Sequence, residues 1–181
     1  MQTKIKYISL LRGINVGGKR KILMADLKEI YADLGFLNCI SYIQSGNVIF
    51  EYQEQSNREL ANKIQEAISK KYGFDVPVIV RTSDEWKQSI KANPFADNCD
   101  VASLHLTFLS EVPNSELLDI AKDKDFSPDE FQIIGHDSFL HIPGKYHQTK
   151  ISNQFFEKHL KVSATTRNWK TVMKLMELAE Q

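Results

Sequence analysis

The sequence predicts an α+β protein of two domains. Three observations carry this. From residue 4 to residue 82, alternating apolar stretches and amphipathic stripes follow the order strand, helix, strand, strand, helix, strand. A polar interruption around Asn93-Pro94 follows, and a fresh alternating strand opens at Leu104. The chain has 181 residues, enough for one domain or two small ones. The first order is the ferredoxin-like arrangement, one antiparallel sheet with two helices on one face. The expected boundary lies between Asn93 and Asp100, giving domains 1–95 and 96–181.

Residues 4–11 read as a strand, with Ile8 and Leu10 on one face and Ile5, Tyr7 and Leu11 on the other. After a glycine-rich loop, Leu27, Ile30, Tyr31 and Leu34 mark one stripe of a helix that starts near Met24 and stops at Gly35. Residues 39–44 read as the second strand and Ser45-Gly46-Asn47 as a tight turn. Val48, Phe50 and Tyr52 alternate on the third strand. Ser56 with Glu59 forms a capping box that opens a helix with the stripe Leu60, Ile64, Ala67 and Ile68. Val76, Val78 and Val80 alternate on the fourth strand. Thr82 with Glu85 is a second capping box, before a short helix carrying Trp86 and Ile90.

In the second half, Leu104, Leu106 and Phe108 alternate, and a helix with Leu117, Leu118 and Ala121 follows Pro113. Residues 131–135 and 139–142 suggest a hairpin through His136-Asp137-Ser138. Ile151, Phe155 and Leu160 suggest a helix. Thr166 is expected to cap a last helix with Trp169, Val172, Met173 and Met176 on one stripe. The second half thus repeats the order with a helix in place of the last strand. No sequence repeat accompanies it.

Composition narrows the function classes. Apolar residues make up 42% and charged ones 25%, as in a soluble globular protein. No apolar run approaches the roughly 20 residues of a membrane span, and the run after Lys6 is too short for a signal-peptide core. Cys39 and Cys99 form no metal-spaced or redox motif, which fits a cytoplasmic protein with free thiols. Net charge is zero, which argues against general nucleic-acid binding. The charge is uneven, however. Residues 1–25 carry six Lys/Arg and no acid, residues 97–137 carry ten Asp/Glu against two Lys, and residues 145–174 carry seven Lys/Arg against Glu157.

The loop Arg12-Gly13-Ile14-Asn15-Val16-Gly17-Gly18-Lys19-Arg20 concentrates three glycines, three cations and an asparagine. Glycine lets backbone N–H groups turn toward a ligand, and such a concavity beside Lys and Arg suits an anion. The same glycines are also ordinary punctuation between a strand and a helix. Gly13-x-x-x-x-Gly18-Lys19 matches part of a P-loop, but Arg20 stands where Ser or Thr would hold Mg²⁺. Residues 45–52 align loosely with an RNA-recognition signature, with Tyr7, Phe50 and Tyr52 as the candidate stacking residues. The first basic residue and the two inner aromatics of that signature are missing. The five histidines, His105, His136, His141, His147 and His159, come with no metal-ligand spacing. Near the end, Arg167 and Lys170 read as cations in a helix's first turn, where they oppose the helix dipole and invite a negative partner.

Three separated motifs also carry a resemblance. Leu10-Leu11-Arg12-Gly13-Ile14-Asn15-Val16-Gly17-Gly18, Tyr42-Ile43-Gln44-Ser45-Gly46-Asn47-Val48, and Thr165-Thr166-Arg167-Asn168-Trp169 with Thr171-Val172 resemble the bacterial family of domain of unknown function 1697. The similarity runs from about Tyr7 to Leu178. Thr149-Lys150-Ile151-Ser152-Asn153 is similar to a family segment reading Ser-Lys-Leu-Thr-Asn, with the hydroxyl residues exchanged. The resemblance implies two ferredoxin-like domains and no particular reaction.

The leading expectation is a small anionic or phosphorylated ligand held in a cleft between the domains. Arg12, Gly13, Asn15, Gly17, Gly18, Lys19, Ser45 and Asn47 would come from the first domain, and Lys150, Thr166, Arg167 and Asn168 from the second. Neither metal nor cofactor is expected, and no membrane partner. The alternatives are a metal-independent enzyme acting on such a ligand, and an RNA- or protein-binding module using the sheet face. The oligomeric state is not set by the sequence.

Overall fold

A computed structural model describes residues 4–181; residues 1–3, which the first predicted domain includes, lie outside it. The protein forms two four-stranded antiparallel sheets, each with the ferredoxin-like strand order. The first contains β1 (Lys4–Leu11), β2 (Leu37–Tyr42), β3 (Asn47–Gln53) and β4 (Val78–Thr82), in the order β2-β3-β1-β4. α1 (Met24–Asp33) and α2 (Asn57–Tyr72) connect them, and α3 (Ser83–Lys91) follows. The second contains β5 (Leu104–Leu109), β6 (Glu130–Ile134), β7 (Asp137–His141) and β8 (Ala164–Asn168), in the order β6-β7-β5-β8, with α4 (Ser115–Lys122), α5 (Asn153–Leu160) and α6 (Trp169–Glu180).

By its own contacts the chain divides into two compact units. One holds the described residues up to Lys87 together with Leu175–Gln181, and the other is Gln88–Lys174. The sequence suggests a boundary at residues 93–100. The division falls instead after Lys87, inside α3, and after Lys174, inside α6.

In the first unit, Tyr7 and Leu11 of β1 share a core with Val48 and Phe50 of β3, Val78 and Val80 of β4, Leu27, Ile30 and Tyr31 of α1, and Leu60, Ile64 and Ile68 of α2. Tyr7 and Phe50 stack at 5.5 Å between ring centroids. Both are fully buried, so neither presents a ring for base stacking. Ser9 joins this face through its hydroxyl, 2.7 Å from that of Tyr31. α1 ends in a Schellman motif: Gly35 N–H donates to the Ala32 carbonyl and Phe36 N–H to that of Tyr31. In the second unit, Leu109, Leu140 and Ala164 of the sheet pack with Phe155, Phe156 and Leu160 of α5.

Local features of the turns and of the last elements differ from the sequence reading. β2 begins at Leu37 and ends at Tyr42, so the turn is Ile43–Gly46. Asn47 already belongs to β3, opposite Leu10 on one side and Tyr42 on the other. Gly135 and His136 alone form the β6–β7 turn, because Asp137 and Ser138 pair with Phe108 and Thr107. Finally, the last strand is present. Thr165 and Thr166 are β-branched and pair with Phe108 and Thr107 in the ladder. Arg167 therefore lies in β8, not in a helix's first turn. The cap of α6 is Asn168, whose Oδ1 accepts the Thr171 N–H at 2.8 Å.

Candidate functional site

The glycine loop leaves the sheet between its two neighbouring strands. Leu11 N–H donates to the Gly46 carbonyl at 2.8 Å, and Arg12 N–H to the Pro77 carbonyl at 3.0 Å. Beyond them the backbone is repeatedly left-handed, with φ of 69° at Gly13, 56° at Asn15, 58° at Gly17, 73° at Gly18 and 47° at Arg20. Val16 and Lys19 bridge to each other, and Asn15 N–H donates to the Arg20 carbonyl at 3.2 Å. The result is a miniature hairpin with Gly17-Gly18 at its tip. Nothing lies within 4 Å of a Cβ built on either glycine, so both are required by φ alone and leave open space beside the backbone.

Asn15 organises this hairpin. Its Nδ2 donates to the Ile22 and Gln44 carbonyls, both at 3.0 Å, and its Oδ1 accepts the Ile22 N–H at 2.9 Å. One side chain thus ties the loop's exit to the β2–β3 turn. The turn has its own tie: Asn47, fully buried, donates through Nδ2 to the Tyr42 carbonyl and to Ser45 Oγ, both at 3.0 Å. Loop and turn therefore lie side by side at one end of the sheet, as the antiparallel pairing of β1 and β3 requires. Gly46 makes this possible. With φ 81°, its Cβ would sit 2.6 Å from Leu11 Cβ and 2.9 Å from Ile14 Cδ1.

Three consecutive cations at the loop's tip and exit are uncompensated. Lys19, Arg20 and Lys21 are all exposed, and among the described residues none of the three side chains has an ion-pair or hydrogen-bond partner. Arg20 lies over the loop, its Nη1 3.5 Å from the Cβ position of Gly13. The acid in α1's first turn, Asp26, is engaged elsewhere. It accepts the Tyr72 hydroxyl at 2.5 Å and lies 3.9 Å from Lys71. Burial, and then that hydrogen bond, pushes the Tyr72 hydroxyl up, so it remains a donor to Asp26. Between loop, turn and the start of α1 lies a hollow of about 360 Å³, lined by Asn15, Gly18, Lys21, Ile22, Leu23, Met24 and Gln44.

The second unit places its expected residues differently. Thr166 is committed to structure: it donates to Asn153 Oδ1 at 2.7 Å and accepts from Thr107 Oγ1 at 2.6 Å, linking two strands to the start of α5. Asn168 caps α6. Arg167 donates through Nη1 to the Thr166 carbonyl at 3.0 Å. Burial pulls its guanidinium down to about 10, with Tyr146 opposing, so it is charged at neutral pH. Lys150 is exposed beside a hollow of about 270 Å³ that also contains Asp125 and Asp129, two carboxylates unsuited to an anion. Arg81, buried on β4, was not marked by any motif, yet it mirrors Arg167. Each is opposite the same relative position of its unit's first strand, Ile8 or Leu106, and each donates Nη1 to the preceding residue's carbonyl at 3.0 Å.

A family model described as "Protein of unknown function (DUF1697)" matches residues 5–139. The chain belongs to this family. The loop, the Asn15 tie and the β2–β3 turn all lie within the matched region, whereas α5, β8 and α6 lie beyond it. Among solved structures, the conserved bacterial protein SP0830 from Streptococcus pneumoniae has a similar fold. It is 24% identical, with a TM-score of 0.78 over 98% of this chain and 99% of that one. No curated protein matches.

Sequence reasoning passed over Lys21, Ile22, Leu23, Met24 and Gln44 as site residues. Only Lys21 carries a signal in isolation, as the third consecutive cation after the glycines. Gln44 reaches the site because the turn begins one residue before it, and that depends on the register of β2. Among the described residues no group of three or more His, Cys, Asp or Glu is arranged to hold a metal ion, and no helix is long and apolar enough to cross a membrane.

Proposed function

We propose that the chain binds a small anionic or phosphorylated ligand at its glycine loop. The observation that carries this is the exposed set Lys19, Arg20 and Lys21, without ionic partners, beside the open backbone of Gly17 and Gly18. Successive backbone N–H groups in a tight turn form an anion-binding concavity, and nearby cations deepen it. Asn15, Ser45 and Asn47 serve this site as its frame, since their polar atoms hold the loop and the turn. A frame fixed before the ligand arrives reduces the ordering cost of binding. The buried positions of Tyr7 and Phe50 support a small molecule over single-stranded nucleic acid as partner. The free cysteines Cys39 and Cys99 support a cytoplasmic setting.

A thermal-shift titration tests the reading. Phosphate or sulfate, compared with chloride at matched ionic strength, should raise the Tm of the wild type. A Lys19→Ala, Lys21→Ala variant should fold as well and lose that shift, because both side chains are exposed and unpartnered. A wild type indifferent to phosphate would refute the proposal.

A further inference from the structure

The hollow beside the loop is not built for a bare anion. Its polar rim consists of Lys21, Gln44 and the Gly18 backbone, while Ile22, Leu23 and Met24 form an apolar wall. The Asn15 side chain also lines it, but its amide is used on Ile22 and Gln44, and so it fixes the two sides at a set separation. Leu23 stands out by position. It occupies the N-cap of α1, makes no side-chain cap, and is 68% exposed. That position normally carries Ser, Thr, Asp or Asn, whose oxygen accepts a free N–H of the first turn. An exposed leucine there gives up the cap and presents aliphatic surface to the hollow.

Resting on the reading above, we infer that the ligand is a phosphomonoester with an apolar body. The phosphate would lie against Gly18, Lys21 and Gln44, and the organic group against Leu23 and Met24. A volume of about 360 Å³ is far more than phosphate alone fills. It falls within the range of small-molecule sites, roughly 300–1,000 Å³, which combine an apolar lining with a few convergent polar groups. Of the three cations only Lys21 lines the hollow, and one ammonium with an amide and a backbone N–H is a modest grip for phosphate, so apolar contact must supply part of the affinity.

The experiment compares inorganic phosphate, methyl phosphate and phenyl phosphate by calorimetric titration at one pH and ionic strength. Phenyl phosphate should bind at least tenfold more tightly than the other two. Lys21→Ala should weaken all three. Leu23→Ser supplies a cap and removes the most exposed residue of the apolar wall, leaving Met24. It should therefore hold or raise the Tm, keep the affinity for inorganic phosphate, and reduce the phenyl preference several-fold. Equal affinities for the three ligands in the wild type would overturn this inference and leave the anion reading standing. A phenyl preference undiminished in Leu23→Ser would place the organic group elsewhere and also overturn it. No binding of any of the three would refute the anion reading itself, and this inference with it.

Discussion

Gly46 and Gly18 both have positive φ, but the structure separates their roles. At Gly18 an alanine meets nothing within 4 Å, so only the left-handed backbone penalises it, by about 1–2 kcal/mol. At Gly46 the same penalty is joined by overlap with Leu11 and Ile14, both fully buried. Overpacking of this kind adds about 1–3 kcal/mol. Gly46→Ala should thus cost about 2–5 kcal/mol by denaturant unfolding, and Gly18→Ala distinctly less. Equal losses would mean that the turn shifts freely away from the loop. The sequence made both glycines visible as turn residues. It did not distinguish them, because the difference lies in which side chains cross from β1. Asn15 shows the same limit: a polar residue in a glycine loop is legible, while its three backbone partners depend on the fold.

His105 gives a residue-scale prediction with a pH sign. It stacks on Tyr146 at 4.6 Å, and burial pulls its imidazole below the usual histidine range, with a backbone hydrogen bond at Ser103 opposing. The folded state therefore binds a proton less readily than the unfolded chain, whose histidine titrates near about 6.5. The stabilisation is fully present above that pH and is lost as pH falls through it toward the depressed folded value. The Tm should drop on acidification from pH 8 to pH 5. In His105→Gln the drop should be smaller, whatever the variant's absolute Tm. An unchanged slope would show that His105 does not contribute to it.

At the scale of elements, β8 and the start of α6 are where pattern reading failed. Thr165, Thr166 and Arg167 precede a clear apolar stripe, and a hydroxyl residue before such a stripe looks like a cap. Three strand residues at a sheet edge have too short a period to overrule it. Pairing with β5 decides the matter, and the cap moves to Asn168. Asn168→Ala should cost about 1 kcal/mol, the usual worth of an N-cap, and Asn168→Ser should recover most of it. Thr166→Ala should cost stability for another reason, since it breaks the chain of hydroxyls from Thr107 to Asn153. If Thr166→Ala alone lowered stability and Asn168→Ala were silent, α6 would start earlier than the hydrogen bonds indicate. The long stripes of α1 and α2 were legible because their own periodicity is strong and their stops, Gly35 and Gly73, are unambiguous.

For the whole molecule, the two-sheet plan was legible from element order, complete in the first half and lacking only its last strand, β8, in the second, since successive elements are usually neighbours in space. The placement of the C-terminal residues was not. α6 starts in the second unit, yet Leu175–Gln181 belong with the first. The ties are specific: Lys6 Nζ donates to the Ala179 carbonyl at 3.0 Å, and Lys87 pairs with Glu180 at 3.0 Å. The surface pair Lys87–Glu180 contributes little, because water and salt screen exposed ion pairs. Burial dominates, with Leu175, Met176 and Ala179 all buried, and each of the two larger side chains worth roughly 1.5–3 kcal/mol. Removing residues 175–181 should therefore destabilise the first unit by about 3–6 kcal/mol, although the cut lies some ninety residues from its last strand. Hydrogen exchange offers the resolving measurement. Amides of β1 and β3 should lose protection in the shortened chain, while those of β5 and β7, whose packing on α5 the cut leaves intact, should keep more of theirs. A Glu180→Ala control should behave like the wild type. Loss of protection confined to β5 and β7 would assign the end of α6 to the second unit instead.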